Sequence, residues 1–255
     1  MMVTYAREDS IAYITLARGE CLNAMNRQMY RETNEAFERL NDDDDARVAI
    51  FSSGDEQAFC AGVDIKDVHH ALTAEGVSIE ALRAELSLFF EAPGTLEKPV
   101  IAAINGHCVG EGMVMTLFCD LRIAADDAQF SLPEARIGVP SINGTIRAVQ
   151  IAGHAAAMEL VLTGEPRDAA WARNAGFVNA VVPAGRLMAE ARGMADAIAG
   201  NDAAAYQVMR ELGERALQEP FSDLLAQGMV LRDALTADAM IERQGKWLER
   251  PHDDT

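Results

Sequence analysis

The 255-residue sequence predicts an α/β fold, and three observations carry that prediction. Short β-branched runs recur through the first 185 residues. Segments with apolar residues at helical spacing separate them. After Pro133 the pattern turns almost wholly helical. Buried strands alternating with helices are the signature of a sheet covered by helices.

The elements follow in order. Ser10–Leu16 alternates and is rich in β-formers, which predicts a strand. Asn26–Leu40 carries Met29, Thr33, Ala36, Phe37 and Leu40 at helical spacing. The acidic run Asp42–Asp45 that follows reads as a solvated turn rather than a metal site. Arg47–Ser52 predicts a buried strand, Phe59–Gly62 a loop, Asp64–His69 a short helix and Ser78–Glu91 a polar-faced helix. Pro99–Ile104 is another buried strand, Gly106–Gly112 a glycine-bearing turn, Met113–Phe118 an apolar helix and Leu121–Ala125 a strand. Val178–Val182 is the one strand expected after Pro133. From Ala184 to Leu248 the alanine- and methionine-rich pattern predicts three or four helices. Their apolar faces point to a subunit contact, with Met188, Met194, Met209, Met229 and Met240 as packing residues.

Composition narrows the function. Apolar residues make up 49% of the chain, enough for a sizeable core. With 22 basic against 40 acidic residues the formal net charge is −18, which opposes an extended phosphate-binding face and hence nucleic acid. A compact phosphate-bearing ligand stays open, since it needs only a local donor cluster. The four cysteines, Cys21, Cys60, Cys108 and Cys119, form no CxxC pair and read as reduced thiols. The opening residues lack a secretory pattern and no apolar run approaches a membrane span. The expectation is a cytoplasmic protein with no nucleic-acid or membrane partner. No histidine pair has the i, i+4 spacing of a helix-borne zinc site, and none of the five is given a catalytic role.

Two glycine-bearing loops, FCAGVDIK (Phe59–Lys66) and INGHCVGEGM (Ile104–Met113), each lead from a strand to a helix start. Glycine permits close backbone approach, and a helix start offers unpaired N–H groups. Two such amides aimed at one point make an oxyanion hole, although either loop alone reads as an ordinary tight turn.

Six fragments appear in order: CLNAMN, AFCAGVDIK, KPVIAAINGHCVGEG, CDLRIAADDAQFSLPEARIG, AMELVLTGE and AGFVNAVVP. This series resembles the crotonase (enoyl-CoA hydratase/isomerase) superfamily from about residue 3 to 185. The resemblance implies a spiral of ββα units over residues 1–190 and a helical oligomerisation region over 191–255, giving a homotrimer or a dimer of trimers. It also implies an acyl-CoA substrate with coenzyme A as part of it, and no separate cofactor or metal. The oxyanion-hole amides would be those of Val63 and Glu111, with Gly110 beside them. The adenine end would lie near Ala24, Ala61, Asp64, Ile65 and Lys66, with Arg18 near the phosphates; Lys66 reads equally as a surface lysine.

Of the two glutamates that family hydratases use, the first falls on Val114, which does no acid–base work, and the second on Glu134. Burial of Glu134 is expected to raise its pKa. Glu111 stands where the family usually has glycine, and its side chain is expected to turn away from the oxyanion. Asn143, within PSINGT, is either a water anchor or a helix N-cap. A single glutamate favours double-bond isomerisation, with hydration close behind. Thioester hydrolysis, decarboxylation and a silent acyl-CoA binder are the alternatives.

Overall fold

The computed structural model describes residues 1–92 and 94–233 together with Gln244. The chain divides into compact units after Ile198.

The first unit is built on two sheets. Strands β1 (Val3–Glu8), β2 (Ile11–Leu16), β3 (Val48–Ser53), β5 (Val100–Ile104), β7 (Leu121–Ala125) and β10 (Ala180–Val182) form the larger one in the order 1-2-3-5-7-10. All its pairings are parallel except the β1/β2 hairpin. Strands β4 (Ala58–Cys60), β6 (His107–Val109), β8 (Gln129–Ser131) and β9 (Arg167–Asp168) form the smaller sheet in the order 4-6-8-9. Three consecutive strand pairs, β3–β4, β5–β6 and β7–β8, therefore each place their first strand in one sheet and their second in the other. Repeating that step winds the chain into the ββα spiral. β3 and β5 are buried almost end to end, which is why they read as continuous apolar runs.

Helix α1 (Arg27–Asp42) begins at an Asn26 cap whose Oδ1 accepts from the Met29 amide, satisfying one of the free donors of the first turn. Its buried stripe is Met29, Tyr30, Thr33, Ala36, Phe37 and Leu40. Phe37 meets Phe51 of β3 edge-on at 5.2 Å, and Phe51 meets Phe59 of β4 at 5.1 Å. An aromatic chain thus joins the helix to both sheets. Helices α2 (Ile65–Thr73), α3 (Ile79–Glu85), α4 (Glu111–Leu117), α5 (Ile142–Thr163), α6 (Ala169–Ala175) and α7 (Leu187–Ala199) follow. In the second unit α8 (Ala203–Arg215) and α9 (Phe221–Asp233) are described.

Several sequence expectations are corrected. Residues 58–60 and 107–109 are strands of the small sheet, not loop and turn; three residues show no periodicity to read. The predicted helix over 78–91 stops at Glu85 and resumes as a 3-10 turn at Phe89–Glu91. β1 and β8 were not anticipated. The acidic turn is not merely solvated: Asp43 accepts the Tyr5 hydroxyl at 2.7 Å, and Asp45 pairs with Arg7 at 2.8 Å, pinning β1. Met188, Met209 and Met229 are 42%, 64% and 43% exposed rather than packed within the chain, and Met194 is half-buried. Met240 and the expected helical stretch beyond 233 lie outside the described residues, Gln244 excepted.

The segment that precedes α1 is held by Asn23. Its fully buried Nδ2 donates to Ser53 Oγ and to the Ala58 and Phe59 carbonyls at 2.8–3.2 Å, and its Oδ1 accepts from the Arg18 amide at 2.7 Å. Asn23 has a φ of +54°, which asparagine tolerates better than most residues. Asn23→Ala is expected to destabilise the fold by about 3 kcal/mol, through orphaned buried groups and backbone strain. Urea unfolding of the two proteins measures this directly.

Candidate active site

The site forms where two strand-to-helix turns of successive ββα units cross. The first runs from β4 through Ala61, Gly62 and Val63 to α2. Met25 donates its amide to the Gly62 carbonyl at 2.7 Å and accepts from Asp64 at 2.9 Å, so that Val63 is bridged to the CLNAMN segment. The second runs from β6 through Gly110 to α4, and the Gly110 amide is tied to the Ser131 carbonyl of β8 at 2.9 Å.

Glycine is required at both turns. Gly62 has φ +93°, and a Cβ there would stand 3.1 Å from the Val109 carbonyl and 3.7 Å from the Glu111 amide nitrogen. Gly110 has φ +53°, and its Cβ would stand 3.4 Å from Glu134 Oε1. These distances bring Gly62, the Glu111 amide and the Glu134 carboxyl to one place. Among the described residues neither the Val63 nor the Glu111 amide donates a hydrogen bond. Glu111 is the first residue of α4, where an unpaired N–H is the normal consequence of helix geometry. Two free donors beside a carboxyl can hold a developing oxyanion while a proton moves next to it.

Glu134 opens a 3-10 turn after β8. Its Oε2 is buried and accepts no hydrogen bond. Burial raises its pKa, opposed by its own backbone amide and by the Ser141 hydroxyl. Beside it an apolar surface cavity of about 400 Å³ is lined by Leu132, Val139, Ile142, Ile146, Val161 and Leu162.

Val114 is buried on α4, and a Cβ on Gly144 would lie only 2.8 Å from its Cγ2. The valine therefore packs on the bare backbone of α5 and offers no polar atom to the site.

The Glu111 carboxyl lies among Glu91, Tyr30 and Glu134. Its pKa is pushed far above the usual carboxylate range, first by burial and then by the neighbouring Glu91 and Glu134 carboxyls; the Tyr30 phenol acts in the opposite direction. Asn143 does not cap α5, whose N-cap is Ser141; its Nδ2 donates to Glu91 Oε2 at 2.8 Å. Tyr30 and Glu91 are thus additions that no sequence pattern flagged. A polar residue on the buried stripe of α1 was the only available hint, and it reads more simply as core.

The residues expected around the adenine end are adjacent to the first turn. Arg18 Nη1 donates to the Ala24 carbonyl at 2.6 Å and pairs with Asp64 Oδ2 at 2.8 Å. Asp64 caps α2 through the Lys66 and Asp67 amides, and Ala61 donates to the Leu22 carbonyl. Ile65 and Lys66 are exposed. Buried Cys60, its thiol pKa pushed up to about 12, is no nucleophile. Among the described residues no cluster of histidine, cysteine or acidic side chains has metal-binding geometry, and no helix is long and apolar enough to cross a membrane.

A sequence profile of the Enoyl-CoA hydratase/isomerase family matches residues 6–248. A probable enoyl-CoA hydratase of Mycobacterium bovis is 35% identical over 246 residues, covering 96% of this chain and 93% of the relative. A short-chain-enoyl-CoA hydratase of Clostridium acetobutylicum is 32% identical over 225 residues, covering 88% and 85%. The crystal structure of an enoyl-CoA hydratase from Bacillus anthracis superposes with a TM-score of 0.88 at 29% identity, covering 98% and 97%. Fold and relatives agree that this chain belongs to the enoyl-CoA hydratase/isomerase family and is an enzyme of the crotonase type.

The raised pKa of Glu111 gives a stability prediction. A carboxyl whose folded-state pKa exceeds its unfolded value makes the folded state bind the extra proton, so stability falls as pH rises above the ordinary carboxylate range. Glu111→Gln is therefore expected to raise the unfolding midpoint at neutral pH. The gain should shrink toward zero as the pH is lowered through that range, as thermal unfolding followed by circular dichroism at several pH values would record.

Proposed function

We propose that the enzyme acts on an acyl-CoA thioester, holding its carbonyl between the Val63 and Glu111 amides and moving a proton with Glu134 as the single acid/base. The observation that carries this reading is the convergence of Gly62, the free Glu111 amide and the partly buried Glu134 carboxyl at one point. The thioester carbonyl would gain negative charge as Glu134 removes an α-hydrogen, and the two N–H donors would stabilise the enolate. The proton then returns at the γ-carbon, converting a 3-enoyl-CoA to a 2-enoyl-CoA. Raising the pKa of Glu134 by burial suits this shuttle, since the same group must first accept and then give up the proton. Apolar Val114 where a second glutamate would stand favours isomerisation over a two-carboxyl mechanism.

Hydration of a 2-enoyl-CoA is the second reading, favoured by the activity that the relatives' names carry. Coenzyme A enters as part of the substrate, and no further cofactor is invoked. Assembly as a homotrimer or a dimer of trimers is supported by the apolar residues around the 400 Å³ cavity, among them Ile142, Ile146 and Leu162, all exposed in the single chain. A cytoplasmic setting fits four cysteines that form no disulfide.

Incubation with a 3-enoyl-CoA in heavy water, followed by mass and chromatographic position, tests the reading. A 2-enoyl-CoA product, with Glu134→Gln lowering kcat by about 10²–10⁴-fold, is the expected result. A hydroxyacyl product would select hydration. Full activity in Glu134→Gln on every acyl-CoA turned over would remove Glu134 from the chemistry.

A further inference from the structure

A glutamate at the oxyanion-hole position poses an electrostatic problem. A carboxylate next to a forming enolate would oppose it, because like charges repel strongly where water is excluded. The surroundings of Glu111 contain a solution. Glu91 closes the 3-10 turn Phe89–Glu91, and Asn143 on the first turn of α5 donates to its Oε2 at 2.8 Å. This bond spans 52 residues and fixes the Glu91 carboxyl against the start of α5. The other oxygen, Oε1, is buried and has no hydrogen-bond partner. The groups that face the Glu111 carboxyl are Glu91, the Tyr30 phenol of α1, the Cys60 thiol at the end of β4 and Glu134.

Glu91 keeps its Oε2 at the exposed Asn143 and turns only its buried Oε1 inward; a proton held between that oxygen and the buried Glu111 carboxyl removes both the repulsion across water-free space and the orphaned acceptor. We infer that Glu91, held by Asn143, is a positioning residue for the oxyanion hole: it shares one proton with Glu111, drawing that side chain off the carbonyl site and keeping it uncharged during turnover. The inference rests on the oxyanion-hole reading above.

The arrangement makes the enzyme pH-sensitive in a defined direction. While the shared proton rests on Glu111 the enolate meets two N–H dipoles, and the pair's one remaining negative charge stays on Glu91, where the Asn143 amide donates to it. When it leaves at higher pH, a carboxylate stands beside the carbonyl and kcat falls. This alkaline limb belongs to Glu111, whereas the acid limb belongs to Glu134, which must be ionised to take the α-hydrogen.

The test combines pH profiles with a readout that needs no turnover. In the full-length enzyme, infrared difference spectroscopy at neutral pH should show a protonated-carboxyl band that disappears in Glu111→Gln and persists in Glu134→Gln. Absence of the band, or its survival in Glu111→Gln, overturns the inference whatever the substrate. With an enoyl-CoA, Glu111→Gln should lose the alkaline limb of kcat. Glu91→Ala should move that limb to lower pH and lower kcat at neutral pH at least tenfold. Adding Glu111→Gln to Glu91→Ala should recover most of that loss, which a merely structural defect would not allow. A wild-type profile in Glu91→Ala, or no recovery in the double variant, would overturn the positioning role. Retained infrared behaviour without turnover of any enoyl-CoA would instead count against the oxyanion-hole reading while leaving the shared proton intact.

Discussion

The site depends on one backbone contact, the approach of Gly62 to the Val109–Glu111 turn. No side chain fits between these turns, because a Cβ on Gly62 would press on the Val109 carbonyl at 3.1 Å. The same crossing sets the Glu111 amide beside the first turn and the Glu134 carboxyl behind the second. Other close approaches hold the turns in place. Gly106 has φ +52° and leaves a Cβ no room beside the Gln57 carbonyl, at 2.0 Å, and Gly112 lets α4 press against Cys60. Glycines here act as spacing elements between sheets, and the chemistry is a by-product of how closely two ββα units can stack.

Much of this was legible in the sequence because the spiral's first strands are long, buried and β-branched. β3, β5 and β7 announce themselves as RVAIFS, PVIAAI and LRIAA, and α1 through its stripe. The second strands were not legible. Ala58–Cys60, His107–Val109 and Gln129–Ser131 have three residues each, and tertiary pairing alone makes them strands. The break after Glu85 was hidden for a similar reason: Asn34 ends the helical run by tertiary contact, donating to the Ser87 carbonyl and accepting from the Phe89 amide.

At the site, the turns and Glu134 could be read from motif order, since glycine and helix starts have local signatures. Glu91 and Tyr30 could not, because their meeting with Glu111 joins three elements separated by tens of residues. Asn143 was visible as a polar residue at a helix start, which explains the N-cap expectation. The N-cap position falls two residues earlier, on Ser141, and the side-chain amide of Asn143 is left to reach across to the 3-10 turn.

Val114 and Gly144 carry a mechanical consequence. The valine methyl already fills the space above the α5 backbone, so a larger residue at 114 would need α5 to step back, and a side chain at 144 would need Val114 to yield. The two positions are mutually locked. Any change of volume on one helix is therefore felt at once on the other, because no side-chain layer lies between them to absorb it. Steric interlock of this kind couples the wall of the site to the longest helix of the first unit.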